Sequence, residues 1–160
     1  GQGGAKGIGG LMATPREVRK LAFQVLYQLD ARSDSDIEHV RASLEPTEGL
    51  SAKECDKAFE MGRAAFEGRA GADAEILELA PTWPSHRLAA VDRAILRLAW
   101  WEMTSGKTQL KVAVNEAVEL AKEFSTEKSP AFVNGVLDRV LKRLELERAP
   151  AGTGEEAVSS

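Results

Sequence analysis

The sequence is poor in the residues that most often carry catalysis or bind metals. Its 160 residues include one cysteine, Cys55, and two histidines, His39 and His86, which stand far apart. A single cysteine excludes a disulfide within the chain and is typical of a reducing compartment, so we expect a cytoplasmic protein. Two isolated histidines with no cysteine near them do not have the spacing of zinc ligands. We therefore predict no metal and no cofactor.

Patterns for nucleophilic catalysis and nucleotide binding are also missing. Ser85 precedes His86, but the serine fits a helix cap and no orienting acid is evident. The glycines of segment 1–10 have no strand before them, so they do not match a phosphate-binding loop. Most carboxylates lie three or four residues from a basic residue along predicted helices, which is typical of a solvated face. We predict that the chain is not an enzyme.

The chain lacks a long apolar run and an excess of positive charge. No stretch approaches the roughly 20 apolar residues that cross a bilayer, and the glycine-rich start lacks the apolar segment of a signal peptide. The net charge of -4 argues against a surface that binds nucleic acid all over. A nucleic-acid site would have to be a local basic patch, or would need a partner that brings positive charge.

The sequence does contain repeated signals for helices. No stretch shows the sustained alternation of a β-strand, whereas apolar residues recur at helical spacing behind caps such as Ser51 to Glu54. About seven such stretches with short connections predict an all-α bundle. The fifth, from about Ser85 to Thr104, has apolar residues around most of its circumference, which is typical of a buried central helix. The glycine-rich segment 1–12 and the acidic segment 149–160 are predicted to be disordered tails of a helical domain at 13–148.

The first predicted helix carries a second stripe nearly opposite its apolar one. Arg16, Lys20, Phe23 and Tyr27 fall at i, i+4, i+7 and i+11, with Arg19 beside them. Basic residues followed by aromatic ones suit contact with an RNA backbone and stacking of bases, or insertion into a partner's groove. The alternative is that Phe23 and Tyr27 pack against another helix, in a bundle that surrounds this one, and that the basic residues are ordinary surface.

The last predicted helix has a similar second face. Phe132, Arg139 and Arg143 share one side, and the apolar stripe points elsewhere. An outward aromatic beside arginines suits an RNA-binding surface. The alternative places Phe132 in a notch between helices.

Three segments carry a resemblance to a known family. The segment KVAVNEAVELAKEFSTEKSPAFVNGVLDRVL, residues 111–141, resembles the C-terminal motif of the NusB family. Residues 90–103 resemble the family's central helix, and residues 16–30 resemble its first helix. The blocks occur in the expected order. The family fold has two small subdomains packed across each other, with three helices and then four, in agreement with the predicted number of helices.

The resemblance implies a role in transcription antitermination. NusB proteins bind boxA, a short single-stranded RNA element, together with NusE, a protein of the small ribosomal subunit. They join RNA polymerase with other Nus factors and suppress premature termination, notably in ribosomal RNA operons. Carried over by position, the family's RNA-binding residues correspond to Arg16, Arg19, Lys20, Lys128 and Phe132. Arg139, which shares the second face of the last helix with Phe132, completes the predicted RNA-binding residues.

The family's NusE-facing positions correspond to Tyr27 and Asp92, with Asp92 as an acceptor for a basic partner. The chain departs from some family members in having only three basic residues at its first helix, interrupted by Glu17. We therefore keep an alternative function, in which the same fold is a protein-interaction module or a homodimer with little or no RNA binding. A fused methyltransferase is not expected, because no room for a cofactor-binding sheet follows the helical domain. Whether the chain is a monomer or a homodimer is left open.

Overall fold

The computed structural model describes residues 16–32, 36–44, 49–80 and 88–159, and for 149–159 it describes the backbone alone. These ranges contain seven helices and no strand, which confirms the predicted all-α fold. The helices are α1 Arg16–Ala31, α2 Ile37–Ser43, α3 Ala52–Glu67, α4 Arg69–Leu79, α5 Ala90–Thr104, α6 Leu110–Phe124 and α7 Ser129–Ser159. The predicted tail at 1–12 lies outside the described residues. The range of α7 runs into segment 149–160, whose disorder stays a prediction.

Two helices, α2 and α3, begin with a side-chain cap. At the start of α3 the Ser51 hydroxyl accepts a hydrogen bond from the Glu54 N–H at 3.1 Å, and the Glu54 carboxylate accepts one from the Ser51 N–H at 2.9 Å. At the start of α2 the Asp36 carboxylate accepts from the Glu38 N–H at 2.9 Å. Each cap satisfies backbone donors that the first helical turn leaves without an intrahelical partner.

The helix α5 lies at the centre of the fold and packs against α1, α3, α4, α6 and α7. Ile95, Leu96 and Met103 are fully buried, because apolar residues cover most of the circumference of this helix. The prediction of a central fifth helix is therefore confirmed in position. Its described start is Ala90, and residues 81–87 lie outside the described part.

Two groups of helices meet at this centre. The helix α2 packs on α1 and α3, whereas α7 packs on α4, α5 and α6. The helices α1 and α3 pack tightly on each other, and both also contact α5. Their close approach depends on Gly62, since a Cβ there would lie 2.7 Å from Val25 Cγ1 and 2.9 Å from the Ala22 carbonyl oxygen. This approach buries α1 on several sides.

Candidate nucleic-acid interface

The start of α1 presents two basic side chains at one edge of the fold. The Arg16 side chain is 60% exposed, and the Lys20 side chain one turn later is 26% exposed. Both line a shallow groove of about 200 Å³ between α1 and α6. Their i, i+4 spacing puts them on the same face of the helix, as the sequence predicted.

A row of glutamates on α6 faces these basic residues across the groove. Glu116, Glu119 and Glu123 line it together, because their i, i+3 and i+7 spacing places them on one face. Glu116 accepts two hydrogen bonds from the Arg16 guanidinium, at 3.0 and 2.8 Å, and a Glu123 oxygen lies 3.2 Å from Lys20 Nζ. The hydrogen bond from Arg16 holds the pKa of Glu116 below its ordinary value. Arg16 and Lys20 are thus held in ion pairs in the chain by itself.

Arg19 lies in the interior, so the surface position predicted for it is wrong. Its side chain is 3% exposed and donates to the Glu102 carboxylate of α5 at 2.8 to 3.2 Å, with a second carboxylate, Glu116, 3.5 Å away. A buried guanidinium needs such compensation, and Glu102 needs it equally at 1% exposure. In this arrangement Arg19 has no surface with which to reach an RNA phosphate. A signal was present in the sequence, since Arg19 is in helical register with the core residues Ala22 and Leu26.

The turn between α6 and α7 carries the next two predicted RNA-binding residues. Lys128 is exposed in this turn. Phe132, in the first turn of α7, is half-buried and packs against the hydrophobic core, so the notch between helices that was the alternative accounts for part of its ring. Gly135, one turn further on, is exposed with open space above it. The turn therefore offers a charged side chain and part of an aromatic ring to a ligand.

Asp92, predicted to face a protein partner, is only 5% exposed. Its two carboxylate oxygens accept hydrogen bonds from the Ser125 hydroxyl at 2.6 Å and from the Ser129 hydroxyl at 3.0 Å. These bonds hold the two ends of the turn that contains Lys128. The prediction of a surface acceptor at Asp92 is wrong in position, because the carboxylate is used to fasten α6 and α7 to α5.

Arg139 is exposed, but the structure places it away from the groove between α1 and α6. Its guanidinium donates to the Leu79 carbonyl at 2.6 Å, at the end of α4. One turn later Arg143 pairs with Glu75 and Glu78, also of α4. This arginine face of α7 is accordingly engaged with α4, and α4 has no residue in the groove.

The aromatic part of the first-helix stripe is mostly internal. Phe23 is 3% exposed, and its ring centroid lies 5.0 Å from that of Phe124 at the end of α6. Tyr27 is half-buried, with its ring 6.4 Å from that of Phe23. The alternative of a surrounded first helix is therefore the correct one for Phe23. Tyr27 keeps a partly exposed surface.

A partly buried network of ion pairs at the C-terminal end of α1 was not predicted from the sequence. Asp30 of α1 pairs with Arg93 at 2.7 Å and with Arg97 at 3.1 Å, both on α5, and Arg97 also pairs with Asp73 of α4 at 2.7 Å. Burial on its own would raise the pKa of Asp30, but the two arginines outweigh it and hold that pKa below its ordinary value. No local pattern could have revealed this network, because its members lie on three helices.

The described ranges contain no group of three or more His, Cys, Asp or Glu side chains that could hold a metal ion. None of the described helices is both long and apolar enough to cross a membrane. What the geometry does offer is a charged groove and a neighbouring exposed turn on a rigid helical frame, which defines a small all-helical binding protein.

Comparisons with known proteins give this class a family. A sequence model described as the NusB family matches residues 16–142. The "Transcription antitermination protein NusB" of Solibacter usitatus is 39% identical over 140 residues, covering 87% of this chain and 96% of that protein. The protein of the same name from Anaeromyxobacter sp. is 41% identical over 133 residues, covering 81% and 91%. The chain belongs to the NusB family.

Solved structures agree with this assignment. The structure titled "T. maritima NusB, P3121, Form 2" superposes with a TM-score of 0.71 at 36% identity, covering 82% of this chain and 93% of that one. A chain of a structure titled "Crystal Structure of a Plectonemic RNA Supercoil" superposes with a TM-score of 0.65 at 26% identity, covering 81% and 94%. The family match over residues 16–142 includes the helices that form the groove and the turn.

Proposed function

We propose that this protein is a transcription antitermination factor that binds boxA-type single-stranded RNA together with NusE. In this proposal it joins RNA polymerase with other Nus factors in the cytoplasm, and it performs no chemistry of its own. The observation that carries the proposal is the exposed Arg16 guanidinium with Lys20 beside it, on a chain of the NusB family. Curated relatives that are named for antitermination at 38–41% identity support the role.

RNA binding at the groove is proposed to be an exchange of ion pairs. Phosphates would replace Glu116 at the Arg16 guanidinium and Glu123 at the Lys20 ammonium, so each new contact costs an existing one. Lys128 would add a contact at no such cost, since it is exposed in the turn before α7. About three phosphate contacts on a single strand give a logarithmic salt slope near ~2, which is shallow for an RNA-binding protein. Weak binding by the chain alone follows from these exchanges.

The remaining predicted residues take more limited parts. The exposed part of the Phe132 ring is proposed to stack on one base, and Arg139 would join only after releasing the Leu79 carbonyl. Arg19 is left out of the RNA contacts and is assigned the task of anchoring α1 to α5. Tyr27, being partly exposed, is proposed to contact NusE directly, whereas Asp92 would act through the turn that it holds.

The test is binding of a labelled boxA-type RNA, at one stated salt concentration, with and without NusE. The proposal expects tighter binding with NusE, and a loss of about tenfold or more for Arg16→Ala combined with Lys20→Ala. The matched control is Lys142→Ala with Arg63→Ala, which removes two paired basic residues from other surfaces. If no RNA binds even with NusE present, the proposal fails. The ion-paired groove then favours the second function, a protein-interaction module that does not bind RNA.

A further inference from the structure

A second groove lies between α3 and the C-terminal end of α5. It has a volume of about 430 Å³ and is lined by six residues: Lys57, Glu60, Met61, Ala64, Trp101 and Lys107. None of them lines the groove between α1 and α6 or belongs to the predicted RNA or NusE contacts. A ligand bound here would therefore leave the proposed RNA site open.

The floor of this second groove is apolar and includes an aromatic ring. Met61 and Ala64 follow one another along one face of α3, and Trp101 comes from the last turn of α5. Trp101 is half-buried, and its indole N–H has no hydrogen bond among the described residues. Aromatic and methionine side chains are enriched in the centres of protein interfaces, because they bury a large area and adapt to their partner.

The rim of the groove is positively charged, although the chain as a whole is acidic. Lys57 and Lys107 are both exposed, and neither forms an ion pair with any described residue. The single carboxylate of the lining, Glu60, is already paired with Arg63. Two ammonium groups without an ion pair among the described residues therefore flank an apolar floor. They complement a ligand that carries two negative charges around an apolar group.

Backbone hydrogen bonds fix the position of the Lys107 side of the rim. The helix α5 ends with Gly106 at φ +73°, whose N–H donates to the Met103 carbonyl at 3.4 Å. The Lys107 N–H donates to the Glu102 carbonyl at 3.2 Å, which completes a Schellman motif. The left-handed residue is a glycine, so this turn is unstrained and keeps Lys107 close to Trp101.

We propose that this groove is a docking site for an acidic segment of a second protein. The segment would seat a bulky apolar side chain on Met61, Ala64 and Trp101, and would place carboxylates against Lys57 and Lys107. A single-stranded RNA fits less well, because base recognition needs hydrogen-bonding groups at the base edges as well as a stacking surface. The apolar floor supplies the indole N–H alone, and the other hydrogen-bonding groups of the lining lie at the rim: the two lysine ammonium groups and the Glu60 carboxylate that Arg63 already holds.

The test uses a fluorescein-labelled nine-residue peptide with leucine and phenylalanine between two glutamates, and a second peptide with lysines in place of the glutamates. Fluorescence anisotropy is expected to show binding of the acidic peptide alone, with a loss of at least about tenfold for Lys57→Glu/Lys107→Glu and for Trp101→Ala. The control Lys111→Glu/Lys142→Glu has the same net charge and should bind normally. Absence of binding up to millimolar peptide, or equal loss in the control, overturns the proposal.

Three further measurements identify the occupant. The Trp101 indole N–H resonance, assigned by its absence in Trp101→Phe, is expected to shift when the acidic peptide is added but not when boxA-type RNA is added. A shift with RNA, or weaker RNA binding by Lys57→Glu/Lys107→Glu, would make the groove part of the RNA path and overturn the proposal. A wild-type dimer that this variant converts to a monomer, measured by sedimentation, would make the occupant a second copy and overturn it as well. Because these readouts do not use Arg16 or Lys20, failure of the RNA proposal is distinguishable from failure of this one.

Discussion

Replacing Glu123 by glutamine should strengthen RNA binding if phosphates compete with the glutamate row of α6. The Glu123 carboxylate lies 3.2 Å from Lys20 Nζ, and both side chains are partly exposed, so the pair itself is worth roughly 0.2–1 kcal/mol. The substitution also removes a negative charge that would lie roughly 7 Å from a phosphate bound to Lys20, worth about 0.6 kcal/mol in water before screening. The two effects together are about 1 kcal/mol, and they predict binding tighter by roughly fivefold at low salt.

Anisotropy of a labelled boxA-type RNA, with NusE present, measures this change. The control Glu67→Gln alters the net charge equally and removes a surface pair on α3, so it should leave the affinity unchanged. In a Lys20→Ala background the Glu123→Gln effect should largely disappear, because both contributions depend on a phosphate bound to Lys20. An unchanged or weaker affinity for Glu123→Gln, or the same gain in Glu67→Gln, would refute the competition.

The other predictions concern the frame that holds the groove. Arg19→Ala leaves Glu102 uncompensated in the interior and should lower the free energy of unfolding by about 3–5 kcal/mol in urea denaturation. Gly62→Ala should lower it by about 1–3 kcal/mol, because its Cβ would overlap Val25 and the Ala22 carbonyl. The pKa of Asp30 in the folded protein is below its ordinary value. Its ionised carboxylate therefore stabilises the fold fully at any pH above the ordinary pKa of an aspartate. This stabilisation is lost as the pH falls through the lowered pKa of the folded state. Asp30→Asn should therefore flatten the fall in stability between about pH 5 and pH 2.

A different result would contradict each of these three predictions. If the Arg19→Ala protein is as stable as the wild type and loses only RNA affinity, Arg19 contacts RNA and does not anchor α1. A Gly62→Ala protein as stable as the wild type would mean that α1 and α3 separate at little cost. A pH profile of unfolding that is identical for wild type and Asp30→Asn would show that Asp30 is not responsible for the acid sensitivity.

The helices were predictable because their signals are local. Apolar residues at helical spacing and the Ser51–Glu54 capping box depend on neighbours within one or two turns, and the structure has both. The apolar residues around most of the circumference of the fifth helix likewise predict a central position, which the structure confirms. The groove was predictable in part, since the i, i+4 spacing of Arg16 and Lys20 sets their shared face.

The buried charges were not predictable from local pattern. An isolated charge is costly to bury, so the sequence predicts surface positions for Arg19 and Asp92. The structure buries both because compensating groups arrive from distant parts of the chain: Glu102 lies 83 residues from Arg19, and Ser129 lies 37 residues from Asp92. A one-dimensional pattern does not identify the distant partner of a buried charge. Charged residues in register with a core stripe, as Arg19 is with Ala22 and Leu26, are the local sign that an internal partner is present.

The charge pattern of the groove also accounts for the acidic balance of a protein proposed to bind RNA. Glu116 stabilises the fold through its proximity to the buried Arg19, and it opposes RNA through its hydrogen bonds to Arg16. The same carboxylate cannot be removed to improve RNA binding without leaving Arg19 less well compensated. A partner that supplies positive charge beside the glutamates, or adds contacts of its own, can raise the affinity for RNA without destabilising the fold. The proposed function gives this task to NusE, because the fold uses Glu116 to compensate its own interior arginine.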